Sequence, residues 1–82
     1  MVVYILYSAV TTRYYTGHTY NLGTRLLQHN SGKTKSIKFG IPWDVVFVQE
    51  CETRTEAMKL EKKIKSHGAK RFLEENNINI GK

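Results

Sequence analysis

Seventeen residues from Tyr14 to Asn30, YYTGHTYNLGTRLLQHN, gather tyrosines, two histidines and an arginine where a strand, turn and helix could pack with leucines alone. On a helix begun near Asn21, Arg25 and His29 fall one turn apart on the edge beside the Leu22 and Leu26 stripe. A guanidinium and an imidazole so paired can contact a phosphate; equally, Arg25 can snorkel over the core edge while His29 sits near the favourable C-terminal end of the helix. Further along, Ala57, Leu60 and Ile64 form an apolar stripe, and the helical period puts Glu61 about 40° from Ala57. A carboxylate on that stripe needs a partner. An ion pair with Arg25 satisfies the need, and so does a bound metal ion. Tyr4, Tyr7, Tyr14 and Tyr15 share one hairpin, where tyrosines are ordinarily core residues with satisfied hydroxyls. For one of them to act as a base, its phenolate must be stabilised by nearby cations, and Arg25, His18 and His29 are available for that.

Other chemistries are absent from the pattern. Gly17 and Gly23 fit neither a P-loop nor a dinucleotide fingerprint, and no serine lies in a nucleophile elbow. The histidines at 18, 29 and 67 lack zinc-protease spacing, and Cys51, the only cysteine, excludes an internal disulfide and a paired-cysteine zinc site. Phosphoryl transfer by one carboxylate, one guanidinium and several hydroxyl or imidazole groups survives the screen. The 82 residues predict a single small domain without large specificity modules, and a net charge of +6 with a pI of about 9.6 favours an anionic partner such as nucleic acid. The N-terminal MVVYILYSAV lacks a basic leader and is too short to cross a bilayer, so it reads as a strand of a cytoplasmic protein with no membrane partner.

The elements that must position these groups follow from local pattern. VVYILY at 2–7 is β-branched and aromatic, SAVTTR connects, and 13–16 returns as a strand that Gly17 ends. Alternation then sends Tyr15 to the face opposite Tyr14 and Thr16. Asn21 is a suitable N-cap for a helix to Asn30, with Gly32 as its stop. SGKTKSIKFGIP at 31–42 reads as a mobile basic loop, and WDVVFVQEC at 43–51 as a third strand. Thr53 with Glu56 makes a capping box for a helix over 54–66, a shorter helix covers 69–75, and NNINIGK is a loose tail. The expected fold is α/β in the α+β sense: a small layered domain with a three-stranded, mostly antiparallel sheet flanked by helices, in the order β-β-α-β-α-(α).

The order and spacing of these residues resemble the GIY-YIG nuclease domain, in its small stand-alone bacterial form, over nearly the whole chain. The family's two tripeptides correspond to Val2-Val3-Tyr4 and Tyr15-Thr16-Gly17, ten residues apart, with Arg25 ten positions after Tyr15, His29 a turn later and Glu61 within EAMKLEKKIK. Val2 stands where the family usually has glycine and Thr16 where it usually has isoleucine; the family's late asparagine corresponds to Asn76 or Asn77. The resemblance implies a metal-dependent DNA endonuclease acting in repair or recombination. Glu61 would hold a single Mg²⁺ or Mn²⁺, Arg25 would neutralise the phosphate, and Tyr4 would activate water. Tyr15 would position water or phosphate, and His29 with auxiliary His18 would share the phenolic proton. DNA would be held through its backbone with weak sequence specificity, by Lys33, Lys35 and Lys38 from the loop and by Lys62, Lys63 and Lys65 from the second helix. The competing readings are a non-catalytic nucleic-acid-binding module on the same fold and a protein-binding adaptor.

Overall fold

The structure is a computed structural model that describes residues 1–32 and 35–76, the side chains at 35 and 36 excepted. Strands β1 (Val2–Ser8), β2 (Arg13–Thr19) and β3 (Trp43–Glu50) form one sheet in the order β2-β1-β3, and β1 is antiparallel to both neighbours. Alternation along β1 divides the interior into two layers. Val3 and Ile5 pack behind the sheet against Ala57 and Ile64 of α2 (Arg54–His67) and Phe72 and Leu73 of α3 (Ala69–Glu75). Tyr4 and Leu6 pack in front of it with Trp43, Leu22 and Leu26, the leucines coming from α1 (Leu22–Asn30).

The helix starts obey the capping chemistry read from the sequence. Asn21 Oδ1 accepts the Thr24 N–H at 3.0 Å, and Thr53 Oγ1 accepts the Glu56 N–H at 3.1 Å. Glu56 reaches back to the N–H of Glu52 at 3.0 Å, one residue ahead of the cap. Behind α1, Gly32 takes φ +84°, the left-handed conformation that glycine accepts without steric cost.

Three local expectations are corrected. Gly17 does not end β2, which continues to Thr19 because His18 and Thr19 find ladder partners in Val3 and Val2. The third strand stops at Glu50, one residue short of Cys51. The segment read as a basic loop contains a short 3₁₀ helix over Lys35–Gly40. Trp43 anchors it: the indole N–H donates to the Ile37 carbonyl at 2.8 Å, while Asn30 brackets the Trp43 backbone with bonds of 2.6 and 3.2 Å. The tail from residue 77, with Asn77, lies outside the described residues, as does Lys33.

Candidate active site

β1 delivers the centre of the site. Tyr4 is 1 % exposed, and its hydroxyl lies 2.9 Å from Nε2 of His29, itself 1 % exposed on the last turn of α1. Tyr15, half-buried on β2, closes the cluster with its ring edge-on to His29 at 5.0 Å and 6.3 Å from Tyr4. Alternation separates the two adjacent tyrosines as expected: Tyr15 packs with Tyr4 on this face, and Tyr14 packs on the other. Gly17 makes the arrangement fit: it stands opposite Tyr4 in the ladder, and a Cβ there would lie 2.7 Å from the phenolic oxygen. Sequence reading treated Gly17 as a stop. The signal that would have found its role is the hairpin register, which pairs residues whose numbers sum to 21 and so sets Gly17 across from Tyr4.

Burial governs the protonation of this pair. It raises the Tyr4 pKa well above the usual phenol range; Tyr15 and the Glu61 carboxylate add to the rise, and the Arg25 guanidinium works against it. His29 moves the other way, lowered first by burial and then by Arg25, which leaves it a neutral imidazole at neutral pH. Its Nδ1 is buried without a partner among the described residues, either as a lone pair or as an orphaned N–H. Arg25 itself is exposed, one turn before His29 on α1. It forms no ion pair with Glu61.

Glu61 is held instead by two other groups. His18 Nδ1 bonds Oε1, and Lys65 Nζ lies 2.7 Å from Oε2, one turn on along α2. Burial pushes its pKa up, but the hydrogen bonds and charges of Lys65 and His18 more than offset this, so the carboxyl lies below its ordinary value and is ionised at neutral pH. Helical geometry correctly put Glu61 beside the core stripe and demanded a partner. It cannot choose the partner, because His18 comes from the end of β2, beyond the Gly17 at which local pattern alone ends the strand.

His18 also joins two open hollows. One is lined by Glu61, Lys62, Lys65 and Met58 of α2, the other by residues of the β2–α1 junction including Arg25. Among the described residues Glu61 is the only carboxylate lining either. Lys63 is exposed on α2 but lines neither hollow, and Lys38 is exposed on the 3₁₀ helix with its ammonium 5.3 Å from the Phe39 ring centre. Lys35 belongs to the same 3₁₀ helix.

The donor set suits a hard divalent cation. No three His, Cys, Asp or Glu side chains gather into a cage among the described residues. One ionised carboxylate in an open hollow suits Mg²⁺ or Mn²⁺, because such an ion keeps most of its waters and takes further oxygens from a phosphate. Binding there would require Glu61 to exchange its contact with His18 or Lys65 for the ion.

The model of a protein family described as the GIY-YIG catalytic domain matches residues 1–77. Two proteins designated UPF0213 from two strains of Staphylococcus epidermidis are each 35 % identical over 54 residues, which is 65 % of this chain and 66 % of theirs. The matched region therefore falls just short of two thirds of those relatives' length. No solved structure matches the chain significantly.

Proposed function

Because this chain belongs to the GIY-YIG catalytic domain family, we propose that it is a divalent-metal-dependent endonuclease that hydrolyses phosphodiester bonds of DNA, with repair or recombination as its setting. The observation that carries the reading is the buried Tyr4–His29 hydrogen bond of 2.9 Å. It lies within electrostatic reach of an exposed arginine and of Glu61, the only carboxylate among the described residues to line the two hollows. Glu61 would hold the Mg²⁺ or Mn²⁺. When bound, that ion supplies Lewis-acid polarisation of the phosphate and stabilises the leaving oxygen.

The chain's own groups do the rest. Arg25 offers two N–H donors to the non-bridging oxygens and balances charge that grows as water adds to phosphorus and the opposite P–O bond breaks. A free phenolate at Tyr4 is disfavoured by burial, so its proton must leave as the water proton arrives. In the tautomer protonated at Nδ1, His29 Nε2 accepts the Tyr4 hydrogen bond and can receive that proton. Tyr15 orients the water or the phosphate beside this pair, and His18 holds Glu61 in place from β2. Lys33, Lys35, Lys38, Lys62 and Lys63 contribute attraction for the backbone rather than sequence discrimination.

One observation favours a second reading, a non-catalytic nucleic-acid-binding module: both Glu61 oxygens are already engaged, by His18 and Lys65. Incubation with linear, nicked and branched DNA plus Mg²⁺ or Mn²⁺ separates the two. Wild-type protein should cut, and Glu61→Gln should bind DNA as well or better yet fail to cut, since a neutral amide is a poor ligand for a hard cation. A glutamine variant that cleaves at the wild-type rate would remove Glu61 from the metal site, and an inert wild type would favour the binding module.

A further inference from the structure

Beyond the catalytic cluster, the hollow on the Arg25 side of His18 measures about 440 Å³ and carries Tyr20 and Arg54 on its wall. Neither residue has a role in the chemistry above. Resting on the endonuclease reading, we infer that this hollow is a subsite for an unpaired nucleotide flanking the scissile phosphate: Tyr20 stacks on the base, and Arg54 acts with Arg25 on the adjoining phosphates.

Tyr20 is 79 % exposed, the highest value among the exposed large hydrophobic side chains of the described residues. Its exposure does not come from a loose segment. The residues on either side are tied together, with the Asn21 N–H donating to Thr19 Oγ1 at 3.2 Å, and Asn21 then caps α1. A pinned turn therefore presents a bare ring that stacks on no other aromatic side chain among the described residues. Such a ring costs hydrophobic exposure in the free protein, and a flat apolar ligand would relieve it.

Charge selects the ligand. Arg25 and Arg54 both face this hollow, and among the described residues no carboxylate lines it and neither arginine forms an ion pair. Two uncompensated guanidinium groups beside an exposed ring match a phosphate on each side of a base. In a duplex the base faces are covered by their neighbours, so a ring can reach one only where the strand is unpaired. The substrate class implied is DNA with a single-stranded segment next to the cut, such as a flap or a frayed branch.

The test measures binding without catalysis, by fluorescence anisotropy in EDTA, using a labelled oligothymidylate and a blunt duplex of the same length. Tyr20→Ala should weaken single-strand binding roughly 5- to 150-fold, the range of one base–aromatic stack, and leave duplex binding within about twofold. Tyr20→Phe should bind like wild type, because the ring and not the hydroxyl makes the contact. Arg54→Ala should weaken both ligands and lower the salt slope by about one. The inference is overturned if Tyr20→Ala changes neither ligand, if it weakens both equally, or if Tyr20→Phe behaves as Tyr20→Ala. Cleavage by the wild type is scored separately. Tyr20-dependent strand binding without any cutting would end the endonuclease reading and keep the subsite; cutting of flapped and blunt DNA that ignores Tyr20→Ala would do the reverse.

Discussion

Behind β1, Val3 and Ile5 meet Ala57, Ile64, Phe72 and Leu73, and the fully buried side chains of this cluster are all apolar. In front of it, one residue out of phase, Tyr4 meets His29 and Tyr15, and burial there encloses a hydroxyl and an imidazole with one nitrogen left unpartnered. The same strand therefore serves two layers that obey different rules. The rear layer stabilises the sheet. The front layer gives up part of that stabilisation to hold titratable groups in fixed geometry, a trade that is reasonable only if the geometry is used.

The sharpest way to break this contrast is to substitute one residue on each side. Arg25→Ala should lower the cleavage rate by roughly 10²–10³-fold or more, the scale of losing one preorganised charge contact, with little change in melting temperature because the side chain is exposed. Ile64→Val, in the rear layer, should lower stability by about 0.5–1.5 kcal/mol and leave the rate per folded molecule unchanged. Denaturant melts beside initial rates check both. An Arg25→Ala protein that cut normally, or an Ile64→Val protein with a specific catalytic defect, would erase the distinction.

Next in size is Gly17→Ala, which attacks the front layer from β2. The added methyl would lie 2.7 Å from the Tyr4 oxygen, 2.9 Å from its Cζ and 3.2 Å from Tyr15 Cε2, so both rings must shift. The expected cost is about 1–3 kcal/mol, with loss of the Tyr4–His29 bond. Gly23→Ala is the matched control, because its nearest atom stands at an ordinary 3.6 Å and alanine suits a helix better. It should be neutral or stabilising by up to about 1 kcal/mol. Imidazole NMR shifts of His29 in the two variants read the difference; equal spectra would mean that Gly17 does not set the phenol.

How much of this was legible beforehand depended on whether a feature was local. Strand and helix identity, both helix caps and the face of Tyr15 follow from period and capping chemistry, which are properties of neighbouring residues. The partner of Glu61 is a property of register: His18 meets α2 only because β2 runs past Gly17. The anchoring of the 3₁₀ helix was equally hidden, since it depends on Trp43 and Asn30 meeting across 13 positions of chain. The order and spacing of Tyr4, Tyr15, Arg25, His29 and Glu61 named the family before any contact was visible. They left Tyr20 and Arg54 unmarked, because nothing periodic distinguishes an exposed ring from an ordinary surface one.

The smallest expected effect is a pH signature whose mildly acidic arm belongs to the front layer. His29 has its pKa lowered in the fold, by burial first and then by Arg25, and the groups facing it are Tyr4 and Tyr15 from the sheet. An unfolded histidine titrates near 6.5, so at and below that pH the unfolded chain takes up a proton that the folded protein resists. The contribution of His29 is therefore complete above about pH 6.5 and is lost as the pH falls toward its folded pKa. Tyr4 acts at the other end: its raised pKa makes unfolding easier as the pH climbs past about 10, where an exposed phenol ionises. Tyr14, on the opposite face, is also raised, so the alkaline arm belongs to both layers and only the acid arm discriminates. Glu61 loses its stabilising charge in a lower window, beginning near the ordinary carboxyl value of 4.5. Melting temperatures of the wild type and His29→Asn at about pH 8 and about pH 5.5 isolate the histidine. The wild type should lose more on acidification than the variant, whatever the variant's starting stability. An identical acid slope in both would mean that His29 is not held neutral by its burial, and the proton acceptor assigned to Tyr4 would have to be sought elsewhere.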